Sequence, residues 1–307
     1  MAACGVDLGG TKCLGVVLDA GEIVAEHRVP TPEGDDAVVS ALAGVVETLR
    51  EATPFDAVGV GAPGLVDREG VLHFAPNLTV SPGLALRSVL EERLGLSVSV
   101  DNDATCAAWG ERQWGAARGF DHVVMATLGT GIGGGIVADG QVYRGANGFA
   151  GEIGHMGVHP EGPDCRCGQQ GCWERYASGG GLGRLARDAA SAGSATRVVE
   201  LAGGDGQEVR GEHVTRAVAE GDPEAIEIMD RFAGWVALGL ADLANVFDPQ
   251  VLVLGGGLVT AGEALLAPVR RAFRELLAGA EWRPEVKIVT AELGAHAGAI
   301  GAADLAS

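Results

Sequence analysis

The sequence predicts an α/β protein built from two related halves. Three observations carry that expectation. Short apolar runs of strand character alternate with stretches of helical period along the chain. A strand–glycine loop–strand unit occurs twice: Leu8-Gly9-Gly10 matches Leu128-Gly129-Thr130, and Gly15-Val16-Val17-Leu18-Asp19 matches Gly135-Ile136-Val137-Ala138-Asp139. Finally, 307 residues suffice for two well-buried cores. A repeat present only twice and so widely spaced is no solenoid. It reads as two copies of one fold facing across a cleft.

The elements follow in order. Cys4 to Leu8 is a short apolar strand; it runs through Asp7-Leu8-Gly9-Gly10-Thr11-Lys12 into a second strand, Cys13 to Leu18. A turn at Asp19-Ala20-Gly21 leads to a third strand near Glu22 to Val29. No helix follows Lys12, so this is not a Walker loop. Asp35 to Ala52 is a helix with Val38, Leu42, Val45, Val46 and Leu49 on one face and Asp35 or Asp36 as its cap. Ala57 to Gly61 is a buried strand ending in Gly61-Ala62-Pro63-Gly64. Gly83 to Leu94 is a helix closed by Gly95. Ser97 to Val100 is a strand that delivers Asp101-Asn102-Asp103 to a helix from about Ala104 to Trp114.

His122 to Leu128 is the next strand; it enters the loop Gly129 to Gly135 and continues through Ala138 to a turn at Asp139-Gly140, ahead of Gln141 to Tyr143. Gly179 to Ala192 begins a helical region, and the polar stretch Gly203 to Gly211 is an exposed loop. Asp222 as N-cap and Pro223 at the first helical position start a helix that runs to about Phe247. Its apolar face carries Ile226, Met229, Phe232, Ala233, Val236, Leu240 and Leu243. Val251 to Leu254 is a buried strand leading into Gly255-Gly256-Gly257. A helix near Gly262 to Leu277, a strand near Val286 to Val289 and a small-residue helix, Gly294 to Ala306, close the chain.

Composition narrows the function. The net charge is −19 and no run of the 22 basic residues makes a patch, which argues against nucleic acid and anionic membranes as partners. The opening MAACGVDLGG lacks the basic and long apolar regions of a signal peptide, and no apolar stretch reaches a bilayer span of about 20 residues. The expectation is a soluble, cytoplasmic protein whose six cysteines are thiols or metal ligands before they are disulfides. The 50 glycines cluster between apolar strands, which points to loops where backbone approaches a ligand.

Three clusters carry chemistry. In the paired loops, backbone N–H groups exposed by glycine can cradle phosphate oxygens. The first loop adds Asp7 and Lys12, and the second adds Thr130. An aspartate beside phosphates calls for a cation, so Asp7 suggests Mg²⁺. The plainer reading, two ordinary hairpins, is weakened by their matching. In Asn102-Asp103, Asp103 can take a proton from a substrate hydroxyl and Asn102 can bind hydroxyls; the plainer reading is a helix cap. The third cluster is Gly151 to Tyr176. His155 with Cys165, Cys167 and Cys172 gives Cys₃His spacing for structural zinc, with His159 as a rival fourth ligand. Glu152 and Glu174 flank it as acceptors for ligand hydroxyls, or as solvated surface charge. Gly255-Gly256-Gly257 can admit an adenine ring or be a helix-entry turn. Cys4, Cys13 and Cys106 read as buried structural thiols.

These pieces resemble the ROK family of sugar kinases and sugar-responsive repressors. The motifs run nearly end to end: VDLGGTK at 6–12, GAPGLVD at 61–67, APN at 75–77, DNDATCAAWGE at 101–111, LGTGIGGGIV at 128–137, GEIGH at 151–155, CRCGQQGCWERYASG at 165–179 and LGGGL at 254–258. The resemblance is strongest to the family's bacterial glucokinases. It implies an actin/hexokinase-like (ribonuclease H-like) duplicated fold with ATP in an interdomain cleft. Residues 1–104, completed by 294–307, would form the small domain, and 105–293 the large one with a zinc-binding insertion at 151–176. Asp103 would be the catalytic base. Asn102, Asp103, Glu152, His155, Glu174 and Gly64 would contact the sugar. Asp7, Gly9, Gly10, Thr11, Lys12, Thr130, Gly131, Gly256 and Gly257 would contact the nucleotide with Mg²⁺, and His155, Cys165, Cys167 and Cys172 would hold zinc. Thr105-Cys106 departs from the Asn-Ala of many relatives, on the helix and away from the chemistry. The expected activity is phosphorylation of glucose at its 6-hydroxyl in a homo-oligomer, dimer or tetramer. An N-acetylmannosamine, N-acetylglucosamine or fructose kinase, and polyphosphate as donor, remain open. A repressor would need a helix-turn-helix ahead of Asp7, where the sequence leaves no room.

Overall fold

The structure, a computed structural model, describes residues 2–307. The chain opens with β1 (Ala3–Leu8), β2 (Lys12–Asp19), β3 (Glu22–Pro30), α1 (Asp35–Ala52) and β4 (Ala57–Ala62). Next come β5 (Leu65–Val66), β6 (Leu72–Phe74), α2 (Leu86–Leu94), β7 (Ser97–Asn102) and α3 (Asp103–Trp114). β8 (Val123–Leu128), β9 (Ile132–Ala138) and β10 (Gln141–Val142) lead to α4 (Glu174–Ala177), α5 (Gly179–Ser191), α6 (Thr196–Leu201), α7 (Gly211–Ala219) and α8 (Pro223–Phe247). β11 (Val251–Gly255), α9 (Glu263–Leu276), β12 (Lys287–Thr290) and α10 (Ala297–Ala306) complete it.

The duplication predicted from the hairpins extends to whole sheets. One has the order β3-β2-β1-β4-β7 and the other β10-β9-β8-β11-β12. In the first, β1–β2 and β2–β3 are antiparallel, while β1–β4 and β4–β7 are parallel. In the second, β9–β10 is antiparallel and β11–β12 parallel. This is the mixed α/β, actin/hexokinase-like architecture that the sequence led us to expect.

The chain divides into two compact units, residues 1–125, 134–151 and 291–307, and residues 126–133 and 152–290. Helix α3 and the segment 134–151 lie in the first unit, whereas the sequence-based division put them in the second. In the first unit, α1 buries Val38, Leu42, Val45, Val46 and Leu49 on the sheet, the face its period predicts. Its cap differs. Gly34 is the N-cap without a side-chain bond, because Asp35 accepts from Ser81 N (2.7 Å) instead. Helix α2 starts at Leu86 because Leu84 pairs with Leu72 in a bridge.

Many glycines serve packing rather than ligand approach. Helix α10 lies backbone to backbone on the sheet: a Cβ at Gly59 would overlap the Ala302 carbonyl, and one at Gly301 the Cys106 carbonyl. Buried Glu111 on α3 ties down the returning chain. Its carboxylate accepts from Leu293 N (2.8 Å), Glu292 N (3.0 Å) and Ala116 N (2.8 Å).

In the second unit, Asp222 caps α8 through Ala225 N (2.8 Å), and Asp248 in the left-handed region ends it. Ile226 departs from the predicted face: it is 43% exposed, and Ile228 is buried in its place. The predicted loop from Gly203 is largely exposed, holds a single 3₁₀ turn at Gly206–Glu208 and ends where α7 begins at Gly211. Among the described residues no helix is long and apolar enough to cross a membrane.

Candidate active site

Sheet register assembles the first part of the site. Asp7 pairs with Gly61, and Gly61 with Asp101, so three parallel strands end at one level. The loops that follow carry Gly9 to Lys12, Gly64 and Asn102-Asp103, at the strand ends where open α/β sheets bind ligands. The first loop is tight: Gly9 N donates to Lys12 O (2.9 Å), and Thr31 Oγ1 donates to Gly9 O (2.6 Å). Gly10 and Thr11 stay exposed, with the Asn77 carbonyl behind Gly10.

Two acids of this unit sense each other. Burial raises Asp7 to about 7; the neighbouring Asp103 carboxylate adds to the rise and Lys12 opposes it. Burial also raises Asp103, against hydrogen bonds from the N–H groups of Ala104 and Asp103 and from Asn102. Of the pair Asn102-Asp103, Asn102 takes the cap role. Its Oδ1 accepts from Thr105 N (3.0 Å), and its Nδ2 donates to Gly64 O (3.2 Å). Gly64 has φ 91°, and a Cβ there would overlap the Phe74 carbonyl, so this turn accepts no other residue without strain. Arg144 grips Asp101 (2.7 Å) one residue before Asn102. No local pattern marks Arg144, because its partner lies 43 residues away.

The second unit holds the other glycine loop and the cysteine cluster. Gly129 N donates to Gly131 O (3.0 Å), Gly179 N donates to Gly129 O (2.8 Å), and Gly133 N donates to Thr127 Oγ1 (3.1 Å). Thr130 is exposed on this loop. Gly256, exposed with Gly257, has φ 83° and lies on the Leu128 backbone, so the loop after β11 sits at the end of β8.

One ligand atom from each of His155, Cys165, Cys167 and Cys172 lies within 4.8 Å of the others. The Cys167 and Cys172 sulfurs are 3.6 Å apart, and Cys165 Sγ is 3.7 Å from His155 Nδ1. Donors about 2.3 Å from a tetrahedral zinc lie about 3.8 Å from one another, so the cluster fits that ion. His159, the rival ligand, is instead stacked on Tyr176, with ring centroids 6.1 Å apart. The other ring nitrogen of His155, Nε2, faces Glu152 Oε2 at 3.8 Å.

Glu174 is not a solvated surface charge. Its Oε1 accepts from Cys165 Sγ (3.1 Å), and its Oε2 accepts from Ile132 N (3.4 Å) beside Gly131, so one carboxylate touches both the cluster and the glycine loop. The preceding residue, Trp173, is fully buried and donates to Trp235 O (2.7 Å), which anchors α4 on α8. Cys4, Cys13 and Cys106 are buried free thiols, as their apolar settings predict.

The ROK family model matches residues 3–307. A glucokinase of Streptomyces coelicolor is 44% identical over 306 residues, covering 98% of this chain and 96% of the relative. A crystal structure of a ROK family glucokinase from Streptomyces griseus, in complex with glucose and AMPPNP, is 43% identical with a TM-score of 0.87, covering 100% of this chain and 99% of that one. A ROK hexokinase structure from Thermus thermophilus is 38% identical with a TM-score of 0.85, covering 100% and 98%.

Proposed function

The chain belongs to the ROK family, and on that footing we propose that it is an ATP-dependent glucokinase that phosphorylates glucose at the 6-hydroxyl. The observation that carries this reading is the end-to-end likeness to a glucokinase solved with glucose and an ATP analogue, at 43% identity. The local geometry supports it: Asp103 stands at the head of α3, half-buried and raised by desolvation, beside a glycine loop that carries Lys12.

Asp103 is the base. A carboxylate raised by burial holds a proton more tightly, so it accepts the 6-hydroxyl proton more readily as the oxygen attacks the γ-phosphorus. Gly9, Gly10, Thr11 and Lys12 in the first unit, with Thr130, Gly131, Gly256 and Gly257 in the second, hold the nucleotide. Asp7 would hold Mg²⁺ through its carboxylate or a bound water, and the ion would supply positive charge to the phosphates. Glu152, His155 and Glu174 accept or donate to sugar hydroxyls, as do Asn102 and the Gly64 turn.

His155, Cys165, Cys167 and Cys172 would hold zinc, which would be structural there: four protein ligands leave no open position. The same binding fixes His155, so that its other nitrogen is free to meet a sugar hydroxyl. We place the enzyme in the cytoplasm as a homo-oligomer, a dimer or tetramer, which light scattering would test.

The decisive experiment is a coupled ADP-release assay across glucose, mannose, fructose and N-acetylhexosamines, with polyphosphate as a second donor. Glucose with ATP should give the highest kcat/KM. Asp103→Asn should lower turnover by about 10³-fold or more while leaving glucose affinity within a few-fold. Turnover retained in that variant would refute the base assignment.

A further inference from the structure

The three cluster thiols are unequal. Cys165 is engaged by Glu174 Oε1 at 3.1 Å and faces His155, and it is only 7% exposed. Cys172 is fully buried. Its backbone is fixed: Gly157 and Cys172 form a bridge, and at the preceding Gly171 a Cβ would overlap the His159 carbonyl. Cys167 is half-exposed, on a turn closed by Gly168 N donating to Cys165 O (3.1 Å), with Gly168 at φ 89°. Cys167 therefore meets solvent first, and its sulfur lies 3.6 Å from that of Cys172. The other thiols, Cys4, Cys13 and Cys106, have no exposure at all.

We propose that Cys167 and Cys172 form a peroxide-sensitive oxidation site, which closes to a disulfide and takes two ligands from the metal cluster. The Cys167 thiolate attacks a hydroperoxide; the O–O bond breaks, leaving a sulfenic acid and hydroxide. The Cys172 thiolate then attacks that sulfur, the S–S bond forms, and the second hydroxide leaves. Two thiolates and one hydrogen peroxide thus give one disulfide and two hydroxide ions. The sulfurs must close from 3.6 Å to about 2.05 Å. The Cys167 turn can supply that movement; the bound backbone of Cys172 cannot. His155 and Cys165 alone do not hold a tetrahedral ion, so the metal leaves, and with it the orientation of His155.

The test treats the purified full chain with hydrogen peroxide and follows three signals. The intact mass should fall by two hydrogens per chain. Peptide mapping should link Cys167 to Cys172 with Cys165 still alkylatable, and a chromogenic chelator should register released zinc. A thiol reductant with added zinc should reverse all three. Cys167→Ser should show no such mass loss.

A link through Cys165, added oxygen without a link, or earlier consumption of Cys4, Cys13 or Cys106 would overturn the proposal. Glucose affinity of the oxidised chain should fall about tenfold, an effect that rests on the sugar contacts proposed above. Unchanged affinity with the disulfide formed would refute those contacts and leave the oxidation site standing.

Discussion

Replacing Asp7 by Asn should stabilise the protein at alkaline pH and destroy its activity. Burial, assisted by Asp103 and opposed by Lys12, raises Asp7 from 3.8 to about 7. Between those two values the folded chain binds more protons than the unfolded one, so stability falls as pH rises. The favourable, protonated state is fully present below pH 3.8 and is lost as pH rises through about 7. The full shift corresponds to about 4 kcal/mol. A desolvated amide gives part of this back, leaving about 2 kcal/mol, or a few degrees in Tm for a chain of this size. Calorimetry of both proteins from pH 4.5 to 8.5 should show Asp7→Asn melting higher at the alkaline end and level with the wild type at the acid end. ADP release should be lost throughout. A variant that melts lower at pH 8, or by the same margin at every pH, would refute the reasoning. Saturating Mg²⁺ and AMPPNP should narrow the gap, because a bound cation removes the charge penalty that the substitution relieves.

Asn102→Ala should cost about 1 kcal/mol of cap energy in denaturant unfolding, because Thr105 N loses its acceptor. Glucose titration of the same variant separates that role from sugar contact, since unchanged affinity would leave Asn102 a cap alone. Gly59→Ala should cost about 3 kcal/mol, read from the denaturation midpoint, because its Cβ would meet the Ala302 carbonyl. Wild-type stability in that variant would mean that α10 does not lie against β4. Trp173→Ala should cost about 3–5 kcal/mol, because it empties a fully buried site. It should also weaken glucose binding through Glu174, which an unchanged dissociation constant would contradict.

Local patterns were legible in the sequence wherever one element determines its own geometry. The five apolar residues of α1 are all buried because helical period alone puts them on one side. Asp222-Pro223 starts α8 where its chemistry predicts, since a cap is settled within four residues. The matched glycine hairpins announced the duplication, and the sheets confirm it with the same strand order twice. The Cys₃His group was legible through its spacing, because two tight glycine turns suffice to bring three thiols together.

Tertiary structure alone decided which polar groups meet. Sequence offered Asp103 as the plainer cap of α3, and it is the bonds to Thr105 and Gly64 that give the role to Asn102. It offered Glu174 as a flanking acid, while its bond to Ile132, 42 residues away, depends on how the cluster docks beside β9. Arg144 on Asp101, Glu111 on Leu293 and the glycine seat of α10 likewise have no local signature. The physical reason is common to all of them. Periodicity and capping report the geometry of a few neighbouring residues, whereas a contact across the chain is set by strand order and helix docking, which no short stretch of sequence encodes.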